Sequence, residues 1–160
     1  MNEMKMLEHK VNLLIDYVTC PETDSERKES LLLDLKDLKS EVSVCSAKVV
    51  TENLLTELGV PASLLGYDYT VTAVKLILED PSHKNYITGT LYPEIVKVHS
   101  GTTPSRVERA IRHAIEVFCE RGDINTIHKF FGNAMSTYKG KPTNSEFLCR
   151  LAQLVEREVM

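Results

Sequence analysis

Arg106, Glu108 and Arg109 stand within four consecutive positions, and Arg112 and His113 follow one helical turn later. A guanidinium is a planar fork of donors that fits guanine O6 and N7, or a pair of phosphate oxygens. A carboxylate between two such forks gains nothing from phosphate, because like charges repel. It can accept from the N4 amino group of cytosine. The set therefore suits the reading of bases in double-stranded DNA, with Arg106, Glu108 and Arg109 as candidate base readers. Arg112 and His113 lie further along, where they can reach phosphates.

No other grouping offers competing chemistry. Cys119 and His113 are six residues apart, which puts them on different sides of one helix. His99, His113 and His128 lack the i, i+4 partner that a helical metal site needs. The four cysteines, Cys20, Cys45, Cys119 and Cys149, lie 25 or more residues apart with no C-x-x-C pair. That spacing argues against zinc and against a disulfide framework. Asp16, Asp24, Asp34 and Asp37 fall on predicted helices or a cap, so none has the strand-end setting of a phosphoacceptor. Arg121-Gly122-Asp123 matches an adhesion tripeptide, but it falls between two predicted helices and reads as chance. No enzyme, cofactor, metal or phosphoacceptor is expected.

The whole chain of 160 residues carries a net charge of −4, which by itself does not favour a polyanion. The distribution does. The window 97–141 holds eight Lys and Arg against four Asp and Glu, a local excess of four positive charges. Screening keeps distant charge out of play, so such a patch can still hold DNA. With 42% hydrophobic and 26% charged residues the composition is that of a globular domain. No run approaches the roughly 18 apolar residues of a membrane span. The opening MNEMKMLEHK lacks the apolar core of a secretory signal. A reduced cytoplasmic protein with no membrane partner is expected.

The elements that must position these side chains all read as helices. Met4, Leu7, Val11, Leu14 and Val18 step by 3 and 4, and so do Leu31, Leu35, Leu38, Val42, Cys45 and Val49. These are heptad seams. Pro21 separates them, and Asp24 or Ser25 can cap the second. Residues 1–49 are thus expected to be a two-helix extension, either an arm for homodimerisation or partner docking, or helices packed on the rest. Residues 50–160 are expected to form a compact bundle. Val50–Leu58 is helical and stopped by Gly59 and Pro61. Tyr67–Leu78 alternates like a strand at first and like a helix later. A helix including Pro93 to Val98 leads through His99-Ser100-Gly101-Thr102-Thr103 into the clearest helix, Pro104 to about Arg121. Two helices joined by a Gly-containing turn suggest a helix-turn-helix. In the second, Val107, Ala110, Ile111, Ala114, Ile115 and Phe118 form an apolar stripe, with Ser105, Arg109, Arg112 and Glu116 opposite. The bland alternative is a solvated face, with Glu108 completing a capping box with Ser105 and Glu116 pairing with Arg112. A short helix from Asp123 to Phe131, a basic loop over Met135–Thr143 and a last helix capped by Asn144 or Ser145 complete the chain.

The run Thr103-Pro104-Ser105-Arg106-Val107-Glu108-Arg109-Ala110-Ile111-Arg112-His113-Ala114-Ile115-Glu116-Val117 resembles a recognition helix of known type. It is that of the DNA-binding effector domain of the stage-zero sporulation response regulator. Lys141-Pro142-Thr143-Asn144-Ser145-Glu146-Phe147 resembles a second signature of that family. Leu58-Gly59-Val60-Pro61-Ala62, Gly66-Tyr67, Leu91-Tyr92-Pro93 and Arg121-Gly122 match in order. The resemblance spans about residues 50–157. It implies an all-α fold, which makes Tyr67–Leu78 a helix, and a transcription factor that binds short asymmetric boxes with a C·G-containing core. It places Arg106, Glu108 and Arg109 at the base-reading positions and Ser105, Arg112 and His113 near the same DNA surface. Lys139, Lys141, Asn144 and Ser145 fall where the family touches DNA backbone. It also implies RNA polymerase as a partner and a location at the nucleoid when DNA-bound.

The departures from the family's pattern are the 49 preceding residues, which read as helices in place of a phosphoaccepting receiver, the segment Pro81–Tyr86, and Phe118-Cys119. A second class of function remains open on these residues. An antagonist or interaction paralogue would use the N-terminal helices to bind a partner and would no longer control genes.

Overall fold

The computed structural model describes residues 47–132 and 140–159, together with 10, 13, 14, 30, 33, 34, 37 and 38. The chain divides into two compact units, Met1–Cys45 and Ser46–Met160. In the first unit every described residue is helical. Leu38 is buried and Leu14 half-buried, both on the seams, while Leu13 and Leu33, off the seams, are exposed. Val49, the last position of the second seam, is 49% exposed, and the other seam positions lie outside the described residues.

The described part of the second unit is built from six α-helices and contains no strand. Helix α1 covers 47–57, so it begins before the boundary expected at residue 50. It is followed by α2 (Leu65–Glu79), α3 (Tyr92–Val98), α4 (Pro104–Arg121), α5 (Ile124–Phe131) and α6 (Asn144–Val159). Tyr67–Leu78, ambiguous by periodicity, lies wholly inside α2. Its alternating start is explained by packing. Tyr67 and Tyr69 are both buried, and the Tyr67 hydroxyl reaches the Glu52 carbonyl of α1 at 3.2 Å. Between α2 and α3 lie two short pieces that no periodicity in the sequence announces. One is a 3₁₀ turn, Pro81–Lys84, capped by the Asp80 carboxylate; the other is a wider π turn, Ile87–Leu91.

Helix α4 runs through the middle of this unit and packs against α2, α3 and α6. Its stripe Val107, Ile111, Ala114, Ile115 and Phe118 is fully buried, as the 3.6-residue period requires. The Phe118, Phe131 and Phe147 rings join α4, α5 and α6, with centroids 5.4–5.8 Å apart. Burying one such ring contributes about 1.5–3 kcal/mol. The core thus holds α4 by one side and leaves the other to solvent.

Candidate nucleic-acid interface

The entry to α4 is fixed by three local devices. Gly101 adopts φ +82°, a left-handed conformation that lets the chain reverse between α3 and α4. Thr103 is the N-cap, its hydroxyl accepting from the Arg106 amide at 3.4 Å. Pro104 takes the first helical position, where its missing N–H costs nothing. The capping-box alternative for Ser105 and Glu108 is therefore not realised. Ser105 sits inside the first turn, and Glu108 lies beyond the reach of the cap.

Ser105, Arg106, Glu108, Arg109 and His113 are all exposed on α4, Ser105 and Arg109 opposite the buried stripe, Arg106 and His113 on one flank and Glu108 on the other. Arg106 Nη1 leans back to the Gly101 carbonyl at 3.4 Å, a weak contact that leaves the fork at the edge of the turn. His113 Nδ1 lies 4.0 Å from Glu116. Arg112 does not pair with Glu116 as the bland alternative had it. It is half-buried, and its Nη1 donates to the Pro142 carbonyl at 2.9 Å.

Pro142 belongs to a short strap, residues 140–143, that leads into α6 across the flank of α4. Lys141 is exposed, and its ammonium lies 3.1 Å from the Glu120 carboxylate of α4. That hydrogen bond to Glu120 holds the Lys141 ammonium above the ordinary lysine range. Thr143 caps α6. Its hydroxyl accepts from the Glu146 amide at 3.2 Å, and the Glu146 carboxylate accepts in return from the Thr143 amide at 2.8 Å. The cap is thus Thr143 and not Asn144 or Ser145, because Thr143 and Glu146 have the three-residue spacing of a capping box.

The family comparison bears directly on this surface. The family model described as sporulation initiation factor Spo0A C terminal matches residues 51–155. The chain belongs to this family. The match spans α1 to α6, including α4 and the strap. The Spo0A C-terminal family is one of DNA-binding transcription regulators of sporulation, not of enzymes.

Within this Spo0A C-terminal domain the expected site residues fall in different places, and Arg112, half-buried, is turned to the strap. Ser105, Arg106, Glu108, Arg109 and His113 share the exposed face of α4. Lys141 and Ser145 are exposed beside it, on the strap and the first turn of α6. Asn144 is different. It was expected where DNA backbone is touched, yet its side chain is 7% exposed and turned inward. Its Nδ2 donates to the Tyr92 hydroxyl and to the Glu108 carbonyl, both at 3.0 Å. Lys139 lies outside the described residues.

Two residues that the sequence offered only as family matches, Gly66 and Tyr92, have structural roles that it did not announce. Gly66 lets α2 approach the backbone of α4 at Ala110. Tyr92, 2% exposed, supplies a hydroxyl behind α4, and burial raises its pKa above that of a free phenol. The capping box of α6 was readable in principle, since Thr143 and Glu146 follow its spacing. Among the described residues no three His, Cys, Asp or Glu side chains cluster as a metal site would need. Nor is any described helix long and apolar enough to cross a membrane.

Proposed function

We propose that α4 is the reading head of a sequence-specific regulator that recognises a short C·G-containing box in the major groove. The observation that carries this reading is the exposed row Arg106, Glu108 and Arg109 on the first turns of α4. Arg109 stands opposite the buried stripe, with Arg106 and Glu108 on its two flanks. A recognition helix meets base edges with its N-terminal turns, and these are the turns in which the row stands. Arg109, central on the exposed face, and Arg106, one turn earlier, are assigned to guanine O6 and N7. Glu108 is assigned to cytosine N4. Ser105, His113, Lys139, Lys141 and Ser145 are assigned to phosphates around it, where contacts set register and affinity rather than sequence.

Residues 1–49 are assigned to self-association, by their two heptad seams. Two linked reading heads on adjacent boxes gain avidity through effective concentration. RNA polymerase is the further partner that the family likeness suggests.

A gel-shift titration of the full chain tests the reading. One duplex carries a family-type box and the other carries the same box with its C·G pair inverted. Tighter binding to the first supports it. Equal binding to both, or none to either, would return the chain to the interaction class, with the N-terminal helices as the active part.

A further inference from the structure

The geometry points to Asn144 as a positioning residue that sets the register of the recognition helix, so that base discrimination depends on an amide buried behind the reading face. The inference rests on the assignment of Arg106, Glu108 and Arg109 as base readers.

A carbonyl oxygen can only accept, so the amide nitrogen of Asn144 must be the atom that faces Glu108. The same nitrogen donates to the Tyr92 hydroxyl. This orientation leaves Asn144 Oδ1 buried with no hydrogen-bond partner. The two donations of its nitrogen hold the side chain in one orientation. What the amide supplies is direction. It ties the second turn of α4 to the start of α6 and to α3 through one group.

The carbonyl it holds is that of Glu108, the residue between the two reading arginines. One turn later, Arg112 donates to the Pro142 carbonyl at 2.9 Å. The segment 142–144 therefore grips α4 at two points one helical turn apart, and two such points fix both rotation about the helix axis and position along it. The grip is anchored. Thr143 and Glu146 cap α6, and Phe147 is buried against Phe118 and Phe131. Base edges demand placement to a fraction of an ångström, whereas long Lys and Arg arms on phosphates tolerate small shifts. Loosening this grip should therefore degrade sequence preference before it degrades general DNA affinity.

The test compares affinity for the box with affinity for a scrambled duplex, across a salt series, in the full chain. Asn144→Asp keeps the shape but removes both donations; Asn144→Ala removes the amide altogether. Leu151→Ala, a fully buried position on α6 away from the grip, supplies a matched loss of melting temperature. Asn144→Asp should lower the specificity ratio by about five- to tenfold, the worth of the lost hydrogen bond to the Glu108 carbonyl. The salt slope should stay unchanged, and Leu151→Ala should lower melting and keep the ratio. Circular dichroism establishes folding at the assay temperature, and Asn144→Ala carries the test should the aspartate variant not fold. A full ratio in the folded Asn144 variant would overturn the inference, as would an equal loss of ratio in Leu151→Ala. Arg109→Ala runs alongside. If it too leaves the ratio intact, the assignment of base readers fails; if it alone lowers the ratio, only the positioning role fails.

Discussion

Gly66 of α2 lies so close to α4 that a Cβ at position 66 would stand 2.1 Å from the Ala110 carbonyl oxygen. No rotamer relieves a clash with backbone. On an open helix face a Gly→Ala change stabilises by up to about 1 kcal/mol. Here the sign reverses, and Gly66→Ala should cost about 1–3 kcal/mol or more, the price of overpacking. Urea unfolding measures it directly. A raised midpoint would mean that the two helices do not cross this closely.

Glu108 should prove to be a reader and not a cap. Thr103 holds the N-cap of α4, so Glu108→Ala should leave stability within about 0.5 kcal/mol, as surface substitutions do. Discrimination at a C·G pair should fall. Thermal melting beside binding to single-pair box variants separates the two effects. Lower melting with intact discrimination would remove Glu108 from the reading set.

Lys141 and Glu120 form an ion pair that DNA would have to compete with. Lys141→Ala should weaken binding to all duplexes alike and lower the salt slope by about one. Glu120→Gln should do the opposite, strengthening binding without sequence preference, because it frees Lys141 and removes the negative charge beside it. Filter-binding titrations from low to physiological salt would register both. A sequence-dependent change in either variant would place Lys141 among the base readers instead.

The seams of residues 1–49 predict self-association. Leu38 is buried, whereas Leu33 is 62% exposed. Because Leu38 is already covered within the single chain, Leu38→Glu should lower the melting temperature, whereas a chain starting at Ser46 should lose any dimer that the full chain forms. Sedimentation equilibrium at micromolar concentration would read the masses. A monomeric mass for the unsubstituted chain would reduce these helices to intrachain packing.

The parts legible in the sequence were those governed by short-range periodicity. The stripe from Val107 to Phe118, the cap at Thr103 with Pro104 after it, and the turn at Gly101 follow from spacing and local sterics alone. Contacts between distant segments were not legible. The crossing at Gly66 needs Ala110, 44 positions later, and the Asn144 amide joins Tyr92 to Glu108 across 52 and 36 positions. A single sequence gives no sign of such pairings. For the same reason Asn144 and Arg112 looked like members of the outer polar surface, since a polar side chain carries no mark of which way it faces. The 3₁₀ and π turns between Asp80 and Tyr92 escaped because both are too short to show a period.

The central claim is that α4 reads bases through Arg109, the residue at the middle of its exposed face. Affinity of the full chain and of Arg109→Ala should be measured on the box and on duplexes with each base pair changed in turn. The substitution should cost about 1–3 kcal/mol on the box and erase the preference at one base pair while preserving the others. A uniform loss across every duplex, with the pattern of preferences unchanged, would make Arg109 a phosphate contact and contradict the account.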